Sequence, residues 1–94
     1  MQNFKYQAAV LLRLLANIAA QKGLTHQDIA DKTGFDRPNV TRMLNAHYMP
    51  SLNNFLKLAE VIGIYFTAED KEDNSDMAKA LEEALDYLRP KDFN

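Results

Sequence analysis

The apolar positions of the first quarter of the chain recur with the period of an α-helix. Between Phe4 and Lys22 they follow the i, i+3, i+4, i+7 spacing of an amphipathic helix. They are Ala8, Leu11, Leu12, Leu15, Ile18 and Ala19. Asn3 is placed to cap the start of this helix, and Gly23 can take the left-handed conformation that ends it. The pattern therefore predicts a long first helix.

Two short helices are predicted next, because cap residues bracket their apolar positions. Thr25 and Asp28 form a variant of the capping box at the start of the second helix, which ends at Gly34. Asp36 is a suitable N-cap for the third helix. Pro38 then falls at its second position, where the missing N–H would have had no partner within the helix. The proline thus marks the beginning of a helix.

A fourth amphipathic helix follows Pro50 and Ser51 and stops at Gly63. Its apolar positions are Leu52, Phe55, Leu56, Ala59 and Ile62. The β-branched and aromatic segment Ile64 to Thr67 is too short to classify by period. It is either a short strand, which could pair with a second chain, or a tail that seals the core.

The C-terminal part of the chain is acidic and holds one more apolar stripe. Glu69 to Asp76 contains no apolar residue and is expected to be a solvated, mobile linker. Ser75 is expected to cap a last helix that Pro90 ends. Its stripe consists of Met77, Leu81, Ala84 and Leu88. Two heptads are too few for an independent coiled coil, so the stripe must pack on the domain or on a partner chain, and core packing is favoured.

Composition narrows the chemistry. The 94 residues include no cysteine, which excludes disulfides and thiolate sites and fits a reducing cytoplasm. His26 and His47 lie 21 positions apart without a neighbouring histidine, so no metal site is expected. Arg13 and Asn17 interrupt the most apolar stretch, which is shorter than the ~20 residues of a membrane span. Neither a paired-carboxylate pocket nor an activated nucleophile is evident, so we expect no enzyme and no cofactor.

The net charge of −2 hides a strong asymmetry along the chain. Residues 1–57 carry seven Lys or Arg against three Asp, a net charge of +4. Residues 58–94 carry four against ten acidic residues, a net charge of −6. Attraction to phosphate is a local matter, so the first part of the chain is a candidate for binding nucleic acid.

The second and third predicted helices have the spacing of a helix-turn-helix. Ala30 lies four residues before Gly34, and Val40 and Met43 can fill the interface between the two helices. The sequence "LTHQDIADKTGFDRPNVTRMLNAHYMPSLNNFLKLAEVIGI", residues 24–64, resembles the Cro and phage-repressor-like helix-turn-helix domains of the XRE family. The resemblance covers about 40 of the 94 residues, including the segment that leads into the fourth helix.

This resemblance implies an all-α, lambda-repressor-like bundle of four to five helices, with an additional C-terminal helix. Its third helix would enter the major groove of double-stranded DNA. We expect a DNA-binding domain over residues 1–67, with the helix-turn-helix at about 25–46. Residues 68–94 would form the acidic linker and the last helix, a candidate contact for a dimer or a partner.

Five residues of the third helix are predicted to contact bases. They are Arg37, Pro38, Asn39, Thr41 and Arg42. At 100° per residue, Val40, Met43 and Leu44 share one face and leave most of these residues on the other side. Each arginine can fork onto guanine O6 and N7, whereas Pro38 either packs on a thymine methyl or only stiffens the helix start.

Phosphate contacts are expected around these base contacts. The candidates are His26, Gln27, Asn45, His47, Tyr48, Ser51, Asn53 and Lys57. The position of His26 is taken from the resemblance, and the start of the fourth helix offers unpaired N–H groups to an anion. The family often has glycine where this chain has Ala46, so the third helix is less obviously able to end in a positive φ.

The expected function is that of a sequence-specific DNA-binding regulator, a cytoplasmic repressor that acts as a homodimer. Val61 to Phe66 or the last helix would form the dimer contact. The alternative is an antitoxin-type interaction protein whose C-terminal segment binds a partner protein.

Overall fold

The structure is a computed structural model that describes residues 4–66 and 70–88. Over these ranges it contains α-helices and no strand, which confirms the all-α fold class. The helices are α1 (Phe4–Gln21), α2 (His26–Thr33), α3 (Arg37–Leu44), α4 (Leu52–Ile62) and α5 (Met77–Tyr87). The predictions for Asn3, Thr67, Glu69 and Pro90 lie outside the described residues. Among the helices of residues 4–66 and 70–88, none combines the length and the apolar character that a membrane span requires.

The ends of α2 follow the predicted capping signals. Thr25 Oγ1 accepts a hydrogen bond from the Asp28 N–H at 3.0 Å, and Asp28 Oδ2 accepts one from the Thr25 N–H at 2.9 Å. The bond from the Thr25 N–H stabilises the carboxylate, so the pKa of Asp28 lies below its ordinary value. Gly34 ends the helix with φ +83°, as predicted.

Helix α3 starts where the sequence predicts, but the expected capping hydrogen bond is not formed. Asp36 occupies the N-cap with an extended backbone, yet its side chain makes no capping hydrogen bond. Pro38 is the second residue of the helix, as predicted. Its fixed φ suits the first turn, and its missing N–H leaves no bond broken.

Helices α1 to α4 enclose one core. Helix α2 packs against α3 and α4, and α1 packs against the same two helices. The buried apolar residues are Leu12, Leu15, Ala19, Ile29, Ala30, Val40, Met43, Leu44, Leu58, Ala59 and Ile62. Burial of Val40, Met43 and Leu44 confirms the predicted inner face of α3.

The apolar face of α4 was only partly predicted. Leu52 and Leu56 are 73% and 44% exposed, whereas Leu58 is fully buried. The reason is rotational: Leu58, Ala59 and Ile62 share an arc of about 100°, and this arc faces the other helices. Leu52 and Leu56 continue the apolar surface of α4 toward solvent.

Residues 64–66 form neither a strand nor a helix. Ile64 packs against the core, and the ring of Phe66 lies 5.2 Å from that of Phe55. For this part of the segment the prediction of a sealing tail is confirmed, and that of a strand is wrong for the single chain. Pairing of the segment with a second chain stays a prediction.

Helix α5 stands apart from the core. Its N-cap is Asp76 rather than Ser75, because Asp76 Oδ1 accepts a hydrogen bond from the Lys79 N–H at 3.0 Å. It contacts none of the helices α1 to α4. Leu81 and Leu85 are 61% and 63% exposed, and no residue of α5 is buried. The prediction that its stripe packs on the core is therefore wrong for the single chain, because α1 to α4 already close that core.

Candidate nucleic-acid interface

The turn between α2 and α3 is fixed by backbone bonds and one buried side chain. The Gly34 N–H donates to the Ala30 carbonyl at 2.8 Å, and the positive φ of Gly34 redirects the chain. The buried Thr33 hydroxyl donates to the Ile29 carbonyl at 2.7 Å and accepts from the Phe35 N–H at 3.2 Å. The small side chain of Ala30 lets α3 approach α2 closely. This turn holds α3 across α2 with its inner face in the core.

The five predicted base-contacting residues all lie on the side of α3 that the core leaves uncovered. Arg37, Pro38 and Arg42 are exposed, and Asn39 and Thr41 are half-buried. Arg42 Nη1 donates to Asn39 Oδ1 at 2.9 Å. This bond restricts the guanidinium of Arg42, so less conformational freedom is lost when the group binds another acceptor.

One contact joins a predicted phosphate residue to a predicted base residue. His26 Nδ1 and Thr41 Oγ1 share a hydrogen bond of 2.7 Å between the start of α2 and the middle of α3. A hydroxyl has one donor and two acceptor positions, and the imidazole keeps Nε2 for a second partner. Both side chains can therefore contact DNA while they hold the two helices together.

Two other phosphate candidates are held by neighbouring side chains. Gln27 Nε2 donates to Asp31 Oδ1 at 2.8 Å along α2. Arg13 Nη1 donates to Asn45 Oδ1 at 2.9 Å and to the Leu44 carbonyl at 3.1 Å. Sequence reasoning missed this role of Arg13, which satisfies a carbonyl at the C-terminus of α3 with a cation. Its only sequence signal is a charge inside the apolar stretch of α1.

The start of α4 presents three further candidates. Ser51 Oγ accepts a hydrogen bond from the Asn54 N–H at 3.2 Å, which leaves the hydroxyl hydrogen for another acceptor. Asn53 is exposed in the first turn, where backbone N–H groups have no intrahelical partner. Lys57 Nζ lies 5.3 Å from the centre of the Phe35 ring, which places a positive charge beside the α2–α3 turn.

The chain leaves α3 through a non-glycine residue with a positive φ. Ala46 has φ +61°, the conformation that glycine adopts readily and alanine does not. The Ala46 N–H donates to the Met43 carbonyl at 3.0 Å, and the His47 N–H donates to that of Arg42 at 2.9 Å. These bonds end α3 and leave His47 and Tyr48 exposed.

No group of three or more His, Asp or Glu side chains in residues 4–66 and 70–88 is arranged to hold a metal ion. Comparison with known proteins gives one match. No curated protein and no solved structure matches the chain. A helix-turn-helix family model, HTH_3, matches residues 15–68, which is more than half of the chain. The match includes α2, α3, the turn between them and all of α4. The chain therefore belongs to the HTH_3 family of XRE- and Cro-like helix-turn-helix domains, and its function is that of a DNA-binding regulator.

Proposed function

We propose that the protein is a sequence-specific repressor that binds double-stranded DNA as a homodimer in the cytoplasm. The observation that carries the proposal is the geometry of α3. Val40, Met43 and Leu44 anchor it in the core, while Arg37 and Arg42 extend from its exposed side. A helix held in this way can enter the major groove and present two forked donors to guanine. Occupation of an operator by the protein would exclude other proteins from the same DNA.

Charge supports the proposal. Residues 4–66 carry seven Lys or Arg and four Asp or Glu, a net charge of +3. His26, Lys57 and the N-terminus of α4 supply phosphate contacts on elements that flank α3. These contacts would set the register of the protein on the duplex, and the residues of α3 would read the sequence.

A homodimer is proposed because one domain makes too few base contacts to select a single genomic site. Two copies related by a two-fold axis would read half-sites roughly 34 Å apart. A palindromic target is the expected signature of such an assembly.

The proposal is tested by selecting random duplex DNA with the purified chain. We expect a palindromic consensus with a guanine in each half-site. Arg37→Ala or Arg42→Ala should each reduce discrimination at one position by about 1 to 3 kcal/mol. Lys57→Ala should weaken all sequences and lower the salt slope by roughly 0.9.

Lys71 in the linker provides a matched control, since it is an exposed lysine outside residues 4–66. Lys71→Ala should leave both the consensus and the salt slope unchanged. If Arg37→Ala combined with Arg42→Ala binds the selected site as tightly as the unaltered chain, the assignment of α3 as the reading helix is wrong.

A second candidate is an antitoxin-type function in which the C-terminal segment binds a partner protein. The exposed apolar side chains of α5 favour it, because that helix has no intramolecular contact with α1 to α4. Copurification of a stoichiometric partner from the native host, lost on deletion of residues 68–94, would support this function. An unchanged partner after that deletion would contradict it.

A further inference from the structure

Helix α5 has an apolar face that is wider than the seam of a two-stranded coiled coil. Its apolar residues are Met77, Ala78, Ala80, Leu81, Ala84, Leu85 and Tyr87, followed by Leu88. At 100° per residue they span roughly half of the circumference, whereas a coiled-coil seam is narrower. Glu82, Glu83, Asp86 and Lys79 fill the rest. A face of this width can be covered by a groove between two helices, but only partly by one opposing helix.

Residues 4–66, which contain α1 to α4 and are called the four-helix body below, offer such a groove between α1 and α4. The groove has a volume of about 320 Å³ and is lined by apolar side chains, among them Leu11, Met49, Leu52 and Phe55. Leu11, Met49 and Leu52 are 39%, 48% and 73% exposed, so the described part of the chain does not fill this surface. Within residues 4–66 and 70–88, the groove and the face of α5 are thus two apolar surfaces that do not cover each other.

Charge indicates which surface α5 would meet. Residues 70–88 carry two Lys and seven Asp or Glu, a net charge of −5, whereas residues 4–66 carry +3. Pairing α5 with α5 would bring two strongly acidic segments together, which costs free energy at moderate salt. Placing α5 on a four-helix body brings opposite charges together instead.

The area required for a stable dimer favours a reciprocal contact. Helix α5 has 11 residues and is therefore about 16 Å long. A single contact made by so short a helix buries much less area than the roughly 1,200–2,000 Å² of stable interfaces. A two-fold axis would supply the contact twice. In the structure α5 contacts none of the helices α1 to α4 of its own chain.

We propose that α5 of each chain docks into the α1–α4 groove of a second copy, so that the two chains exchange their C-terminal helices. The inference rests on the homodimer of the proposed function and identifies its interface. The apolar half of α5 lies against Leu11, Leu52 and Phe55 of the partner copy, and the acidic side of the helix remains in solvent.

The oligomeric state of the full chain tests the proposal by analytical ultracentrifugation. Leu81→Gln combined with Leu85→Gln removes two large side chains from the apolar face, and Glu83→Gln is the matched control on the polar side. We expect a dimer for the unaltered chain and for the control, and a dimer dissociation constant at least tenfold higher for the double variant. Because α5 contacts none of the helices α1 to α4, the double variant should unfold at the same temperature as the unaltered chain at concentrations where both are monomeric. A double variant that dimerises as well as the control would overturn the proposal.

Disulfide trapping identifies the contact, and the chain has no native cysteine to interfere. Leu85→Cys and Leu52→Cys are made in separate chains, mixed and oxidised. We expect a crosslink between the two different variants, and little between two copies of Leu85→Cys. A predominant Leu85→Cys homodimer would show pairing of α5 with α5. In a chain carrying both cysteines, a disulfide that stays within one chain at every concentration would show docking on its own body. Either result overturns the exchange.

Selecting DNA with the same preparations separates this inference from the proposed function. A palindromic consensus from a protein that fails the crosslinking test removes the exchange and leaves DNA recognition standing. Exchange without any enriched DNA sequence removes the proposed function and leaves the interface standing.

Discussion

Replacing Ala46 with glycine measures the backbone strain at the end of the reading helix. Ala46 has φ +61° and packs in part against the core. The left-handed conformation costs an L-residue roughly 1–2 kcal/mol, and glycine would remove that cost. Against this gain stand the loss of a half-buried methyl, below about 0.8 kcal/mol, and the greater freedom of the unfolded chain, about 0.4–1 kcal/mol. We therefore expect the free energy of unfolding to change by between about −0.8 and about +1.6 kcal/mol, so that most of the range is a gain in stability.

Ala16 provides the matched control because it is also half-buried against the core but lies inside α1. Ala16→Gly removes a comparable methyl and loosens the unfolded chain to the same extent, yet relieves no strain. A glycine in the middle of a helix costs about 1 kcal/mol relative to alanine. The difference between the two variants should therefore be about 1–2 kcal/mol, the strain at Ala46.

Urea unfolding followed by circular dichroism supplies both free energies by linear extrapolation. A thermal scan should agree, since about 1 kcal/mol corresponds to roughly 4–8 °C in a domain of this size. If Ala46→Gly loses as much stability as Ala16→Gly, the left-handed residue is not strained and the reasoning fails.

Two further predictions concern charged side chains near the caps. Asp36 makes no capping bond and precedes Arg37, so Asp36→Asn removes a negative charge beside the reading helix. It should raise DNA affinity about threefold or more at low salt while changing stability by less than about 1 kcal/mol. Fluorescence anisotropy at two salt concentrations measures the affinity, and an unchanged affinity would place Asp36 away from phosphate. The pKa of Asp28 lies below its ordinary value of 3.8 because the Thr25 N–H and hydroxyl hydrogen-bond to its carboxylate. The carboxylate therefore contributes fully to the free energy of unfolding above about pH 3.8, and this contribution is lost as the pH falls through the lower pKa of the folded state. The difference in melting temperature between the unaltered chain and Asp28→Asn should therefore shrink on acidification, and a constant difference from about pH 6 down to about pH 2.5 would contradict this linkage.

The helix boundaries of the four-helix body could be predicted because their signals are local. Thr25, Gly34 and Gly63 act within one turn of their own positions, through side-chain caps or through a positive φ. Pro38 constrains only its own φ and its own N–H. Such signals do not depend on the rest of the fold, so a single sequence is enough to place them.

Other features depend on choices that local signals leave open. Ser75 and Asp76 are both good N-caps, and the sequence alone does not decide which carboxylate or hydroxyl receives the Lys79 N–H. In α4 the apolar residues cover more of the helix surface than the core needs. Whether Leu52 or Leu58 becomes buried is decided by the angle at which α4 meets its neighbours.

The candidate DNA interface also contains both kinds of feature: some follow from local sequence signals and others from tertiary packing. The exposed side of α3 follows from the helical period, since burial of Val40 and Met43 determines it. The bond between His26 and Thr41, and the contact of Arg13 with the end of α3, join residues 15 or more positions apart. Contacts of that kind arise from tertiary packing, which a single sequence does not reveal.

The charge separation along the chain connects the two proposals. The acidic segment, residues 70–88 with a net charge of −5, is tethered to a body of net charge +3. It competes with DNA phosphate for the Lys and Arg side chains of that body unless another contact holds it away from them. Removing residues 68–94 would therefore have opposite effects: each body would attract DNA more strongly, while the exchange that joins two bodies would be lost. The first effect is electrostatic and weakens with salt, whereas the second depends mainly on an apolar contact that salt does not screen. The truncated chain should consequently lose most affinity for a full palindrome at high salt, where loss of the dimer is no longer offset by the removal of negative charge.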